Sequence, residues 1–241
     1  MNPIRIQILR PGVREEFPPP DRALDEPNGL LAAGGDLSAE RLLDAYRHAI
    51  FPWFSEGTPI LWWCPEPRTV FETDGPHVSR RLSRWLRQCD WTIRVDSAFA
   101  DVVRGCAAPR ASQDGTWITQ HMFDAYCELH TLGHAHSIEV FDTGQRLVGG
   151  LYGVALGRMF FAESMFSRAS NGSKVALLGL CRMLHDWGFP LCDAQVASPH
   201  LARMGAKEMP RAAFVEHVRT HCAMPAPAWR DVVPKKVREL V

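Results

Sequence analysis

An α+β fold is predicted, with a small N-terminal unit set against a larger mixed unit. Three observations predict it. Near residue 137 the hydrophobic period changes from 3.6 to two, and it holds through three consecutive segments. A helical segment and one further strand follow, giving a β-α-β unit. Ahead of these, residues 51–65 crowd Phe51, Trp53, Phe54, Trp62 and Trp63 between prolines. That dense aromatic span closes the small unit, so the division expected is 1–68 and 69–241.

Residues 11–29 read as loop: Pro18-Pro19-Pro20 favours extended polyproline, and Pro27-Asn28-Gly29 favours a turn. Residues 30–35 lead into Asp36-Leu37-Ser38, a helix start whose helix carries Leu42, Leu43, Tyr46 and Ile50 on one stripe. The larger unit opens with a helix over 77–88. Val78, Leu82, Trp85 and Leu86 share one side, and Arg80, Arg84 and Arg87 the other, with Arg81 between. Thr119 caps a helix that buries Met122, Phe123, Tyr126 and Leu129, and Gly133 ends it. Segments 137–141, 146–156 and 158–166 form an antiparallel meander turning at Asp142-Thr143-Gly144 and Leu156-Gly157. A helix spans 173–187, a strand 190–196, a short helix 201–204 and a last helix 212–222. The residues from 224 on, rich in proline and charge, read as a surface tail. Three antiparallel strands, a helix and a strand form a pattern similar to the acetyltransferase-like (GNAT) α+β architecture.

With 241 residues, 46% hydrophobic and 22% charged, the chain has the composition of a soluble globular protein. No apolar run reaches membrane-spanning length, and no signal peptide is recognisable at the N-terminus. The seven cysteines include no C-x-x-C pair, which favours reduced thiols and a cytoplasmic location. Lys+Arg and Asp+Glu both total 27, a balance that argues against a protein wrapped in nucleic acid but allows a local basic footprint.

The most informative stretch is Gly157-Arg158-Met159-Phe160-Phe161-Ala162-Glu163-Ser164-Met165-Phe166-Ser167-Arg168. It sets one carboxylate, Glu163, in an apolar strand, where an unpaired charge costs several kcal/mol. A partner, Arg158 or Arg168, or a task is therefore expected. Asp193 and Gln195, at i and i+2 on the later strand, should leave the same face. Together these residues predict an apolar cleft holding few polar groups. Three other signals are discounted. His130, His134 and His136, and His217 with His221, lack the paired spacing of a four-ligand metal set, so no metal is expected. Asn171-Gly172-Ser173-Lys174 departs from the P-loop pattern and places Lys174 in the first turn of a helix.

Phe51-Pro52-Trp53-Phe54, Ile60-Leu61-Trp62-Trp63, Gly115-Thr116-Trp117-Ile118-Thr119, Gly133-His134-Ala135-His136-Ser137-Ile138-Glu139 and Val148-Gly149-Gly150-Leu151-Tyr152-Gly153-Val154 resemble the signature blocks of leucyl/phenylalanyl-tRNA–protein transferases. So do Glu163-Ser164-Met165-Phe166-Ser167-Arg168, Ser173-Lys174 and Asp193-Ala194-Gln195, in family order over residues 25–215. Two positions depart from the pattern: Ala194 stands where cysteine is expected, and Leu151 where methionine is expected.

The resemblance implies an enzyme that moves Leu or Phe, and Met less well, from the acceptor end of aminoacyl-tRNA to the α-amino group of proteins beginning with Arg or Lys, marking them for degradation. It implies a bacterial, cytoplasmic, cofactor-free enzyme with a GNAT-like large domain, and a monomer is expected. Asp193 and Gln195 become the catalytic candidates. Gln195 would accept a hydrogen from the attacking amine, while Asp193 would orient Gln195 or take the proton. Replacing either with Ala is expected to lower turnover with little effect on folding. Trp53, Trp117, Leu151, Phe160, Met165, Leu177 and Leu180 become candidates for the donor pocket. Glu163 would bound that pocket or hold the acceptor's cation. Arg80, Arg84 and Arg87 would meet tRNA phosphates. The rival enzymatic reading is a coenzyme-A-dependent N-acetyltransferase, whose pyrophosphate would need a Gly-rich turn before a helix. The rival of another class is a non-catalytic RNA-binding module.

Overall fold

Two sheets organise the chain, which the computed structural model describes over residues 6–108 and 116–240. The first is four-stranded, in the order β1-β2-β4-β3. Its strands are β1 (Gln7–Leu9), β2 (Leu30–Gly34), β3 (Phe51–Pro52) and β4 (Leu61–Trp63), and helix α1 (Ala39–Arg47) joins β2 to β3. Residues 30–34, expected as a lead-in to the helix, form strand β2, because pairing to β1 and β4 on its two sides satisfies their backbone while their apolar side chains are buried.

The second sheet has eight strands, in the order β11-β5-β10-β9-β8-β7-β6-β12. Strand β5 (Arg68–Glu72) is followed by α2 (Arg80–Arg87), β6 (Thr92–Val95), α3 (Phe99–Ala107) and α4 (Gln120–Thr131). The meander comprises β7 (Ala135–Phe141), β8 (Leu147–Leu156) and β9 (Met159–Ser167). Helix α5 (Gly172–Asp186) leads to β10 (Leu191–Gln195), which pairs parallel to β9. The chain continues through α6 (Pro199–Arg203), β11 (Lys207–Met209), α7 (Arg211–His221) and β12 (Lys235–Lys236). The sequence pattern did not reveal β1, β5, β6, α3, β11 or β12. The strands among them span two to five residues, too few to show a period, and they are held by neighbours distant in sequence.

Side-chain caps set the starts of α2 and α4. Ser79 Oγ accepts from Leu82 N and starts α2 at Arg80, so Val78 lies before the helix. Thr119 does the same for Met122 and starts α4. One face of the large sheet packs on α3, α4, α7 and the small sheet, the other on α2, α5 and residues 229–240, so the expected surface tail is corrected: Trp229 and Val237 are buried there and β12 pairs with β6. Strand β8 is therefore covered on both faces and reads as a nearly continuous apolar run. At Gly149 a Cβ would stand 2.4 Å from the Gly172 carbonyl carbon, so this crossing of β8 and the start of α5 requires glycine.

Strands β9 and β10 are in parallel register at only two positions, Cys192 with Phe160 and Asp193 with Phe161. Beyond them both strands carry an extra residue. On β9 the register passes from Ala162 to Ser164, leaving Glu163 outside the ladder. On β10 it passes from Asp193 to Gln195, leaving Ala194 out. Two bulges side by side open the sheet between its central strands and re-aim the side chains next to them.

Candidate functional site

The bulges bring Glu163 and Gln195 together. Gln195 takes φ of +62°, a left-handed conformation that costs about 1–2 kcal/mol for a residue with a Cβ. Its backbone N–H then donates to Asp193 Oδ1 at 2.9 Å, and its Nε2 donates to Glu163 Oε1 at 2.8 Å. The expectation that Asp193 and Gln195 leave one face of a regular strand is thus corrected. The bulge and the turned backbone send Gln195 toward β9 and leave Asp193 inside.

Asp193 is wholly buried and engaged by Arg68, the first residue of β5. Arg68 Nε donates to Oδ1 at 2.8 Å and Nη2 to Oδ2 at 2.6 Å, a bidentate pair. Its Nη1 donates to Ala49 O at 3.1 Å, beyond the end of α1. The guanidinium lies between the rings of Phe51 and Phe214, 4.7 and 4.5 Å from their centroids. Arg68 carries no sequence signal of this role, since 125 residues separate it from Asp193. The ion pair also revises the expectation for Asp193→Ala, which would strand a buried guanidinium and destabilise the fold.

Glu163 is 7% exposed, and neither Arg158 nor Arg168 is its partner. Two tyrosines are. The Tyr46 hydroxyl of α1 lies 2.7 Å from Oε1, and the Tyr126 hydroxyl of α4 lies 2.8 Å from Oε2. The two hydroxyls are 2.6 Å from each other. Burial raises the carboxyl's pKa from its ordinary value to about 7 against the lowering effect of the two hydroxyls, with Asp193 raising and Arg68 lowering it further. In sequence Tyr46 and Tyr126 are members of apolar stripes, and nothing in their spacing marks the hydroxyls.

Two cavities meet at this pair. One of about 110 Å³ is lined by Phe71, Leu151, Met165 and Leu177 together with Glu163 and Gln195. Another of about 210 Å³ is lined by Phe51, Trp53 and Trp117, again with Glu163 and Gln195. Trp53, which lines the second, is 44% exposed. Phe160 and Leu180, expected in the pocket wall, line neither cavity. Both are wholly buried in the core on the α5 side of the sheet, where Phe160 packs against Trp229. Gly115, quoted with Trp117, lies outside the described residues.

A third cavity of about 400 Å³ shares Leu177 with the first and is of mixed lining, with Pro76, Leu82, Leu178 and Met204 beside its polar groups. It is lined by His77, Ser79, Lys174, His200 and Arg203. Ser79 and Leu82 join it to α2, whose Arg80, Arg84 and Arg87 are exposed and form no ion pair among the described residues. A cavity of about 410 Å³ between α5 and residues 228–240 touches none of the candidate residues. Among the described residues no group of three or more His, Cys, Asp or Glu is placed to hold a metal ion. No helix among them is long and apolar enough to cross a membrane.

Comparison with known proteins gives this geometry its context. The family profile of leucyl/phenylalanyl-tRNA protein transferase matches residues 70–219, and that of its N-terminal domain matches residues 35–66. The leucyl/phenylalanyl-tRNA–protein transferase of Xanthomonas campestris pv. campestris (strain B100) is 60% identical, over 91% of this chain and 88% of that protein. The protein of the same name from Stutzerimonas stutzeri (strain A1501) is 56% identical, over 89% of this chain and 95% of that one. Among solved structures, L-PGS from Bacillus licheniformis aligns with a TM-score of 0.39 at 11% identity, over 70% of this chain and 54% of that one, a likeness too slight to argue from. Matched along most of its length by close relatives and by both profiles, the chain belongs to the leucyl/phenylalanyl-tRNA protein transferase family.

Proposed function

We propose that this chain transfers Leu or Phe, and Met less well, from aminoacyl-tRNA to the α-amino group of proteins beginning with Arg or Lys. The observation that carries this reading is the meeting of two cavities at Gln195 and Glu163. The smaller is apolar and opens to the surface. An apolar cavity of about 150 Å³ holds a benzene ring, so one of about 110 Å³ that is not closed suits a single aliphatic or aromatic side chain. The larger, walled by Trp53 and Trp117, suits the terminal nucleoside of the ester or the incoming terminus.

The reaction forms one N–C bond and breaks one C–O bond. The amine attacks the ester carbonyl, the ribose oxygen leaves, and the proton lost by nitrogen ends on that oxygen. An α-amine with a pKa of about 7.7–8.0 is partly neutral near pH 7, so positioning can supply much of the rate. Gln195 Nε2 is held by Glu163, and its Oε1 has no partner among the described residues, so that oxygen is free to accept an N–H of the amine. Asp193, paired with Arg68 and lining neither cavity, acts as orienter and not as base: it holds Gln195's backbone in the turned conformation. Glu163 bounds both cavities. Its enclosed carboxyl does not favour direct contact with the acceptor's cation.

The arginines of α2, continued by Lys174 and Arg203 at the third cavity, give tRNA phosphates a path to the first cavity, and few phosphates are engaged by a neutral protein. The meander, helix α5 and the parallel β10 support an acetyltransferase-like large domain after residue 68 and a small domain before it. The reading extends to a monomeric, cytoplasmic, cofactor-free enzyme that marks proteins for degradation. The coenzyme-A alternative has less support, because Gly172, the one glycine at the start of α5, is packed against Gly149. The test is transfer of labelled Phe from Phe-tRNA to a purified protein with N-terminal Arg, run beside one with N-terminal Ser. Transfer to the first alone is expected; no transfer, or equal transfer, overturns the reading.

A further inference from the structure

Three oxygen pairs close a ring at the centre of the site. Tyr46 Oη to Glu163 Oε1 is 2.7 Å, Tyr46 Oη to Tyr126 Oη is 2.6 Å, and Tyr126 Oη to Glu163 Oε2 is 2.8 Å. Each distance is that of an O–H···O bond, which holds one hydrogen between its oxygens. The two tyrosines carry one hydrogen each. If Glu163 were ionised, two hydrogens would have to serve three contacts, and one pair of oxygens would face each other bare in the interior. All three contacts are satisfied when the carboxyl supplies the third.

The position of that hydrogen also follows. Gln195 Nε2 donates to Oε1, so Oε1 is the carbonyl-like oxygen and the proton lies on Oε2. Oε2–H then donates to Tyr126, Tyr126 to Tyr46, and Tyr46 to Oε1. We infer that Glu163 works as a neutral carboxylic acid in a closed ring with Tyr46 and Tyr126, and that the direction of this ring sets Gln195 with its Nε2 inward and its Oε1 toward the substrate. Tyr46, Tyr126 and Glu163 are on this account positioning residues for Gln195. The ring also couples the two units of the chain, since α1 supplies Tyr46 and the large unit the rest.

The surroundings fit. The groups facing Glu163 are Tyr46 from α1, Tyr126 from α4, Tyr152 from β8, Gln195 and Asp193 from β10, and Arg68 from β5. Arg68 and Asp193 offset one another, so among the described residues no net cation stands by to hold a carboxylate, and the Tyr152 hydroxyl has no hydrogen-bond partner among them. Burial sets the titration near pH 7.

The proposal rests on the transferase reading for its consequence in turnover, but its first test does not. Infrared difference spectra between the folded protein and Glu163→Gln are recorded a unit below and a unit above pH 7. A carbonyl stretch of a neutral carboxylic acid is expected at the lower pH and is expected to be lost at the higher. Carboxylate bands alone at the lower pH overturn the proposal, whatever the transfer assay shows. Glu139, a second buried glutamate with raised pKa, is run as Glu139→Gln. A neutral-acid band that survives there belongs to Glu163, which keeps the test available if Glu163→Gln does not fold.

The second test is the ratio of wild-type to Glu163→Gln single-turnover rates across the same range, in which the acceptor amine's own ionisation cancels. A glutamine reproduces the neutral ring, with its amide N–H in place of Oε2–H. The ratio is therefore expected to be level below pH 7 and to fall up to tenfold per unit above it. A ratio that rises with pH assigns the working form to the carboxylate and overturns the proposal.

Discussion

Arg68→Met removes the cation that holds Asp193 while keeping much of the buried side chain's length. The carboxylate left behind has no exposure and one remaining donor, Gln195 N–H at 2.9 Å. Breaking a buried ion pair from one side costs about 3–5 kcal/mol. The lost donation to Ala49 O adds about 1 kcal/mol, and the contact with Phe51 and Phe214 about 1–2 kcal/mol, with incomplete additivity. A loss of about 4–6 kcal/mol is therefore expected, a large share of a total of about 5–15 kcal/mol. Urea unfolding measures it as a shift in midpoint. Adding Asp193→Leu removes the stranded carboxylate and is expected to recover at least half of the loss. Turnover is not expected to recover, because Gln195 N–H then has no acceptor and the turned backbone at β10 is unsupported. A cost of less than about 1 kcal/mol for Arg68→Met, or a double variant no more stable than the single one, refutes the clamp.

Other outcomes are expected. Glu163 binds its proton more tightly folded than unfolded, so its contribution to stability is complete below its ordinary pKa of about 4.5 and is lost as pH rises to about 7, by about 3 kcal/mol; urea unfolding of wild type against Glu163→Gln over that range should show that additional fall in wild type, the contribution of Glu139 cancelling in the difference. Leu177→Ala enlarges the apolar cavity and is expected to change the Leu-to-Phe transfer ratio. Leu180→Ala, in the core, is expected to cost about 2–5 kcal/mol of stability and leave that ratio alone; a ratio moved only by Leu180→Ala reverses the assignment of the pocket wall. Replacing Arg80, Arg84 and Arg87 with Ala is expected to raise KM for aminoacyl-tRNA and flatten its salt dependence without altering the unfolding midpoint, because all three are exposed and form no ion pair among the described residues. An unchanged KM and salt slope removes α2 from the tRNA interface.

Much of the architecture was present in local pattern. The meander, the helix after it and the parallel strand were legible because buried strands and amphipathic helices impose different periods, and Thr119 and Gly133 mark the ends of α4 by their backbone chemistry. The charge in the apolar run at Glu163 and the acid and amide at Asp193 and Gln195 marked the site for the same reason: a polar group in a buried segment requires a partner. What those partners are was decided by tertiary structure. Arg68, Tyr46 and Tyr126 lie 125, 117 and 37 residues from the groups they bind, and a strand start or an apolar stripe looks the same with or without such a contact. The separation of Leu177 from Leu180, and of Phe160 from the cavity walls, likewise depends on which face of α5 or β9 the open sheet leaves free. Sequence by itself determined which segments bury polar chemistry, because burial is written in local composition. Only the three-dimensional chain decided how that chemistry is balanced, because hydrogen bonds and ion pairs are made across space.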